Sequence, residues 1–258
     1  MNSEFRIRNF EFQTLMTDCA ISIFDRYGES RPLHRAPCSA ADLRAYDYIF
    51  RGRFAPHLPA DKHARILDLG CGYGEFLSFL QRAGYGQAAG IELDPGQAQA
   101  ARRLGVENVA CGDARELLRS SPGRFDFISA LDVIEHFPKA QVRELLNLIH
   151  AALRPGGTLL CQVPNAAAFY FPAFYMDFTH ETPFAPASLK QALEMAGFVN
   201  VRVSGTGPVV HGAKSAVRWL LWRVIESCLR FIQTVEGGPR GALEGIFSAA
   251  IFAVVERP

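Results

Sequence analysis

Ile66-Leu67-Asp68-Leu69-Gly70-Cys71-Gly72-Tyr73-Gly74 runs from an apolar tetrad into three alternate glycines. This order predicts a short buried strand, a turn with φ > 0 and a helix opening near Glu75. The glycines allow the left-handed backbone of a tight turn and leave no side chain to hold a ligand away. Unpaired N–H groups at the start of the helix can then meet a carboxylate or ribose oxygens. About twenty residues on, Ala88-Ala89-Gly90-Ile91-Glu92 is a second apolar stretch that ends in an acid. An acid at that point suits a ribose diol. A glycine-rich turn alone carries little weight. Strand, turn, helix, strand and acid in this order define a nucleotide-binding half.

Outward from that half the pattern keeps alternating. Strands are expected at Arg65–Leu69, Ala88–Leu93, Asn108–Cys111, Phe125–Leu131, Gly157–Val163, Phe198–Val203 and Ala249–Val255. Helices are expected at Glu75–Ala83, Pro95–Leu104, Lys139–Leu153 and Ser188–Ala196. Pro95 suits a first helical turn, and Arg154-Pro155-Gly156-Gly157 reads as the stop after the third helix. Strand–helix alternation implies a parallel sheet covered on both faces, with ligands at the carboxyl ends of its strands.

The chain has 258 residues, of which 49% are hydrophobic, enough for a full core. A formal net charge of +1 gives no electrostatic case for nucleic acid as the main substrate. The first residues lack a basic region followed by an apolar run, and no stretch is long enough to span a bilayer. Six cysteines, at 19, 38, 71, 111, 161 and 228, are scattered without C-x-x-C pairs. No metal site is expected on that basis, and a reducing cytoplasm is the simplest compartment.

D-L-G-C-G-Y-G followed by G-I-E-L-D resembles the cofactor site of class I S-adenosylmethionine-dependent methyltransferases. The third glycine follows the second by two residues, not three, so nicotinamide spacing is absent. The resemblance implies S-adenosylmethionine as cofactor and an α/β, Rossmann-like sheet of seven strands with the last one antiparallel. It also implies site roles. Gly70, Cys71, Gly72 and Gly74 would line the methionine and ribose portions, and Asp68 would orient that loop. Glu92, followed by Leu93, would take both ribose hydroxyls. Asp113 with Ala114 would meet the adenine, and the backbone at Leu131 would face the methionine amino group.

Residues 1–60 read as an N-terminal helical extension and 61–258 as the methyltransferase domain. The extension holds an expected helix over Phe10–Phe24, a loop at Arg31–Cys38 and a second helix over Asp42–Phe54. It either covers the cofactor or packs on the sheet edge. An insertion of about 205–245 separates the last two strands and contains a helix over Ala213–Gln233. Its stripe of Val217, Leu220, Leu221, Val224, Ile225, Cys228, Leu229 and Ile232 suits docking on its own domain or in a homodimer. A basic helix with Trp219 and Trp222 also suits peripheral contact through 213–233 with the inner face of a membrane.

Methyl transfer to a hydroxyl needs an oxygen aligned with the S–CH3 bond and a base for its proton. Histidine is the natural base near neutral pH. Leu131-Asp132-Val133-Ile134-Glu135-His136-Phe137 resembles the strand-end segment of small-molecule methyltransferases, with His136 either touching substrate or packing. The aromatic segment Phe169–Phe184 contains Asp177-x-Thr179-His180, polar groups that need partners or a role. His180 is the leading general base, and Asp177 would orient it or hold a substrate hydroxyl. This segment resembles methyltransferases found alongside bacterial surface-polysaccharide enzymes. That resemblance implies O-methylation of a sugar hydroxyl on a nucleotide-linked or lipid-linked glycan. A small phenol or quinone precursor, or the amine of an amino sugar, are the other acceptors. A reading of another class is a non-catalytic donor-binding scaffold in a glycan-assembly complex. DNA methylation is disfavoured, since the segment has neither an N-P-P-Y-like motif nor a catalytic Pro-Cys.

Overall fold

A computed structural model describes residues 37, 39–168, 173–241 and 245–258 of the chain. The expected Phe10–Phe24 helix, nearly all of the Arg31–Cys38 loop, Cys19 and Cys38 lie outside the described residues. The strands are β1 (Ile66–Leu69), β2 (Ala88–Glu92), β3 (Val109–Cys111), β4 (Phe125–Leu131), β5 (Leu153–Pro164), β6 (Val199–Gly205) and β7 (Ala250–Glu256). They form one sheet in the order β3-β2-β1-β4-β5-β7-β6. β1 to β5 pair in parallel, and β7 runs antiparallel to both β5 and β6. The seven-stranded α/β sheet with an antiparallel last strand is thus the architecture implied by the glycine motif.

Every residue of β1 and β2 is buried, as a strand covered on both faces requires. Alternate side chains feed two cores. Leu67, Leu69, Ile128 and Ala130 pack on the side of α4 (Lys139–Ala152) and α5 (Pro186–Met195). Ile66, Phe127 and Leu160 pack on the side of α1 (Glu75–Arg82) and α2 (Pro95–Arg103). The Asp94 side chain accepts from Gly96 N and Gln97 N and caps α2, while Pro95 supplies a fixed φ where no N–H is needed.

Several boundaries differ from the sequence reading. A further helix, α3 (Ala114–Arg119), opens directly after Asp113, whose carboxylate accepts from Arg115 N at 2.8 Å. β5 begins at Leu153, so Arg154–Gly157 is an irregular part of the strand, not a stop before it. Leu153 pairs with Phe125 before the register shifts, and Gly156 at φ +73° accommodates the bulge.

The single helix expected over Asp42–Phe54 is broken. It becomes a 3₁₀ turn at Asp42–Arg44, a short helix at Asp47–Ile49, a wide π turn at Phe50–Phe54 and a second 3₁₀ turn at Ala55–His57. Val209 abuts the wide turn so closely that a Cβ on Gly52 would lie 2.4 Å from its Cγ1. The same turn sets Phe50 and Phe54 on Phe76, with ring centroids 5.1 and 5.8 Å apart.

The insertion is built around α6 (Ala213–Gly241), which is interrupted at Gly238. Its expected apolar stripe does not dock on the domain: Val217, Leu220, Leu221, Val224, Ile225, Cys228 and Ile232 are exposed, and only Leu229 of that set is buried. The inward face is instead Ser215, Trp222, Glu226, Leu229 and Gln233. Trp222 fixes that orientation by seating its indole where a Cβ on Gly207 would stand, 3.1 Å from Nε1. Among the described residues no helix is long and apolar enough to cross a membrane.

Candidate active site

The glycine loop forms as its sequence requires. Gly70, Gly72 and Gly74 have φ of +58°, +55° and +82°, and Gly74 opens α1. A Cβ on Gly70 would lie 2.7 Å from Val133 Cγ2, so the loop is packed directly against the segment leaving β4. Cys71 serves the loop through its backbone and its bulk. Its N–H donates to Ile91 O at 3.1 Å, and its carbonyl accepts from Gly74 N at 2.8 Å. Its buried side chain fills the space beside Gly90, where a Cβ would lie 2.7 Å from Sγ. Burial, reinforced by the charges of Asp68 and Glu92, pushes its thiol well up.

Glu92 ties the loop to the second strand. Oε2 accepts from Gly72 N and Oε1 from Asp94 N, each at 2.8 Å. Burial raises its carboxyl above the usual range despite those two N–H donors. Leu93, next in the chain, is 51% exposed at the rim. Gly112 N donates to Glu92 O at 2.9 Å, which brings Asp113 and Ala114 to the same rim. The Asp113 carboxylate caps α3 and binds Arg115, whose closest nitrogen is 2.6 Å away. Burial alone would raise Asp113; its hydrogen bonds from Arg115 and that residue's charge outweigh it and hold the carboxyl below its ordinary value. Leu131 ends β4 half-buried. Asp132 follows with φ +55°, a conformation uncommon outside glycine, and accepts from Gln162 Nε2 at 3.1 Å. The sequence reading quoted Asp132 without giving it a role.

Asp68 is placed differently from its neighbours. It lies within β1, opposite Ser129 of β4, and accepts from the Ser129 hydroxyl at 2.6 Å. Burial, with lesser contributions from Glu75 and Glu92, raises its pKa to about 7. Between the ordinary carboxylate value of 3.8 and about 7, the folded chain therefore holds a proton that the unfolded chain has lost. Stability must fall as pH rises through that window, by on the order of 4 kcal/mol in total. Asp68→Asn keeps an acceptor for Ser129 and removes the ionisation. Its unfolding free energy relative to wild type is expected to rise steadily from pH 4 to pH 7 and then level off. Denaturant melts at both ends of the range check this, and a pH-independent difference would refute it.

The acceptor side is assembled across the fold. Glu181 N and Thr182 N both donate to Glu135 O, at 2.8 and 2.9 Å, and so hang the 177–182 segment on the Ile134–His136 turn. His180 Nε2 then lies 4.0 Å from Oε1 of the fully buried Glu135. The His136 and His180 rings are 4.8 Å apart. His180 Nδ1 is 2.8 Å from Phe174 O; a carbonyl only accepts, so Nδ1 carries the proton. Thr179 Oγ1 donates to Asp177 Oδ1 at 2.7 Å, and therefore accepts from His136 Nδ1 at 2.9 Å. Asp177 thus reaches His136 through Thr179, a connection absent from the sequence expectation. Of the aromatics in this segment, Phe174 and Phe184 are buried while Tyr175 and Phe178 are exposed; 169–172 lie outside the described residues.

A cavity of about 310 Å³ opens beside the start of β7, with Tyr48, Arg53, Thr206, His211, Arg218 and Trp222 on its walls. Arg53 donates to Thr206 O and Gly207 O. Burial lowers its pKa, against an opposing pull from Asp132. Sequence reasoning missed this cavity because its walls come from the N-terminal segment and the insertion.

Residues 41–203 match the methyltransferase-domain family model, and the chain belongs to that family. Its cofactor is S-adenosylmethionine. A ubiquinone biosynthesis O-methyltransferase of Xanthomonas campestris is 31% identical over 147 residues, 55% of this chain and 56% of that protein. The Neisseria meningitidis protein of that name is 29% identical over 199 residues, 67% of this chain and 75% of that one. The chain thus spans little more than half the length of the first of these relatives. A S-adenosylmethionine-dependent methyltransferase from Archaeoglobus fulgidus shares the fold at a TM-score of 0.61, with 24% identity over 83% of this chain and 94% of that one. Phosphoethanolamine N-methyltransferase 2 of Haemonchus contortus, solved with S-adenosyl-L-methionine, shares it at 0.57, with 19% identity over 92% and 60%.

Proposed function

We propose that this methyltransferase moves the S-methyl group of its cofactor to a hydroxyl oxygen on a small ring acceptor. The observation that carries this reading is the cluster of buried Glu135 with half-buried His136 and His180. It is built on the turn just beyond Val133, the residue packed on Gly70 of the donor loop. As the acceptor oxygen attacks, the O–CH3 bond forms and the S–CH3 bond breaks, leaving S-adenosylhomocysteine. The hydroxyl proton passes to His180 Nε2, the ring nitrogen left with a lone pair once Nδ1–H is held by Phe174 O. Glu135 then faces the imidazolium.

Two acceptors remain in view: a small phenol or quinone precursor, favoured by the names of the curated relatives, and a nucleotide-linked or lipid-linked sugar, favoured by the Asp177–His180 segment. Purified chain incubated with methyl-labelled donor and either a dihydroxybenzoate or a nucleotide sugar separates them. Label is expected in an alkali-stable ether of one class. Label found only on amines, or no transfer while donor still binds, would overturn the reading.

A further inference from the structure

We infer that Glu135, His136 and His180 form a binding site for one divalent transition-metal ion, whose open positions would receive hydroxyl oxygens of the acceptor. The inference deepens the reading above and rests on it only for what fills those open positions. One ligand atom from each of the three residues lies within 4.8 Å of the other two. An ion bonds imidazole nitrogen and carboxylate oxygen at about 2.0–2.2 Å. It would therefore fit the 4.0 Å gap between His180 Nε2 and Glu135 Oε1. Around one tetrahedral ion such ligand atoms stand about 3.4 Å apart, so the His180–Glu135 pair, 4.0 Å apart, closes by about 0.6 Å and the widest side, at most 4.8 Å, by up to about 1.4 Å.

The surroundings prepare the ligands. The Phe174 carbonyl holds the proton on His180 Nδ1 and so leaves Nε2 as the lone-pair nitrogen facing a carboxylate. The Nε2 lone pair and a Glu135 carboxylate oxygen thus face one another as two potential metal ligands. The Asp177–Thr179 relay fixes the His136 tautomer in the same sense, with its proton on Nδ1. Metal-bound histidines characteristically give their second N–H to a carbonyl or to a carboxylate-linked partner, and both histidines here do so. Glu135 is fully buried, so its carboxylate oxygens are held at a fixed place beside the two rings. Two imidazoles with one carboxylate favour zinc or a similar first-row ion over magnesium or calcium, which prefer all-oxygen shells. Three protein ligands leave open positions. No metal-ligand spacing marks these residues in the sequence: Glu135 and His136 lie 45 and 44 residues before His180, and the backbone bonds to Glu135 O bring them together.

With the ion bound, His180 Nε2 is a ligand and an ion-bound hydroxyl gives its proton to water at lower pH; without it, His180 takes the proton itself. The test titrates chelator-stripped full chain by calorimetry with Zn2+ and, separately, Mg2+, with S-adenosylmethionine binding measured in parallel. One saturable Zn2+ per chain and no Mg2+ uptake are expected. His180→Ala and Glu135→Gln should weaken Zn2+ by about 100-fold or more, and Asp177→Asn by about 10-fold, with donor binding unchanged. Absence of saturable Zn2+ uptake, or equal uptake by His180→Ala, overturns the site. If methyl transfer persists in the stripped chain that takes up no Zn2+, the site fails and the methyl-transfer reading stands. Stoichiometric Zn2+ in a chain that methylates no hydroxyl supports the site and overturns the acceptor reading.

Discussion

Glu92→Ala is expected to weaken S-adenosylmethionine binding by at least about 100-fold, because one side chain does two jobs at the donor loop. Its oxygens already accept from Gly72 N and Asp94 N, and each has a further lone pair for a ribose hydroxyl. A hydrogen bond to a charged group contributes about 1.5–3 kcal/mol, so losing two of them alone predicts about 3–6 kcal/mol. At 1.4 kcal/mol per tenfold that is two to four decades of affinity. The alanine variant also leaves the Gly72 and Asp94 N–H groups without their acceptor, which loosens the turn and the entry to α2. Glu92→Gln is expected to fall between wild type and alanine, since its amide nitrogen must face one of those two donors. Calorimetric titration with the donor checks the series, and the melting point of the unliganded variants separates lost contacts from lost fold. Affinity within threefold of wild type for Glu92→Ala would mean that the ribose does not sit at the end of β2.

The donor half was legible because its signals are local. Glycines at alternate positions, the acid closing Ala88–Glu92 and Pro95 behind Asp94 each dictate backbone within a few residues of themselves, and the structure repeats them at those positions. α3 was equally local and was missed. Asp113 followed by Ala-Arg-Glu-Leu-Leu-Arg is a capped helix start, a signal hidden behind the adenine contact that the resemblance implies for Asp113. The acceptor side could not be read in this way. Asp177 and His180 look paired at that spacing, yet the chain turns so that Thr179 takes Asp177 and passes its influence to His136. Glu135 stood in a quoted motif without a role, because only the bonds from Glu181 N and Thr182 N bring His180 to it. Periodicity also found the apolar stripe of α6 but not which face would pack. The seat of Trp222 against Gly207 decides that, and leaves most of the stripe bare.

His180→Ala should cut the methyl-transfer rate by about 100- to 10,000-fold, the usual span for removing a general base, while donor affinity stays within twofold. The separation of the two effects follows from position. His180 bonds to Phe174 O and faces Glu135, whereas the donor loop is held by Gly72, Glu92 and Val133. The backbone bonds from Glu181 N and Thr182 N to Glu135 O do not involve the imidazole, so the segment should keep its course in the variant. Asp177→Asn offers a graded comparison: it disturbs His136 through Thr179 and leaves His180 in place, and a loss nearer tenfold is expected. Single-turnover transfer from labelled donor under saturating acceptor reads the chemical step without product release. A His180→Ala enzyme that transfers methyl at the wild-type rate would remove His180 from the reaction. A variant that loses donor binding together with turnover would instead make it part of the loop's support, and the proton acceptor would have to be sought elsewhere.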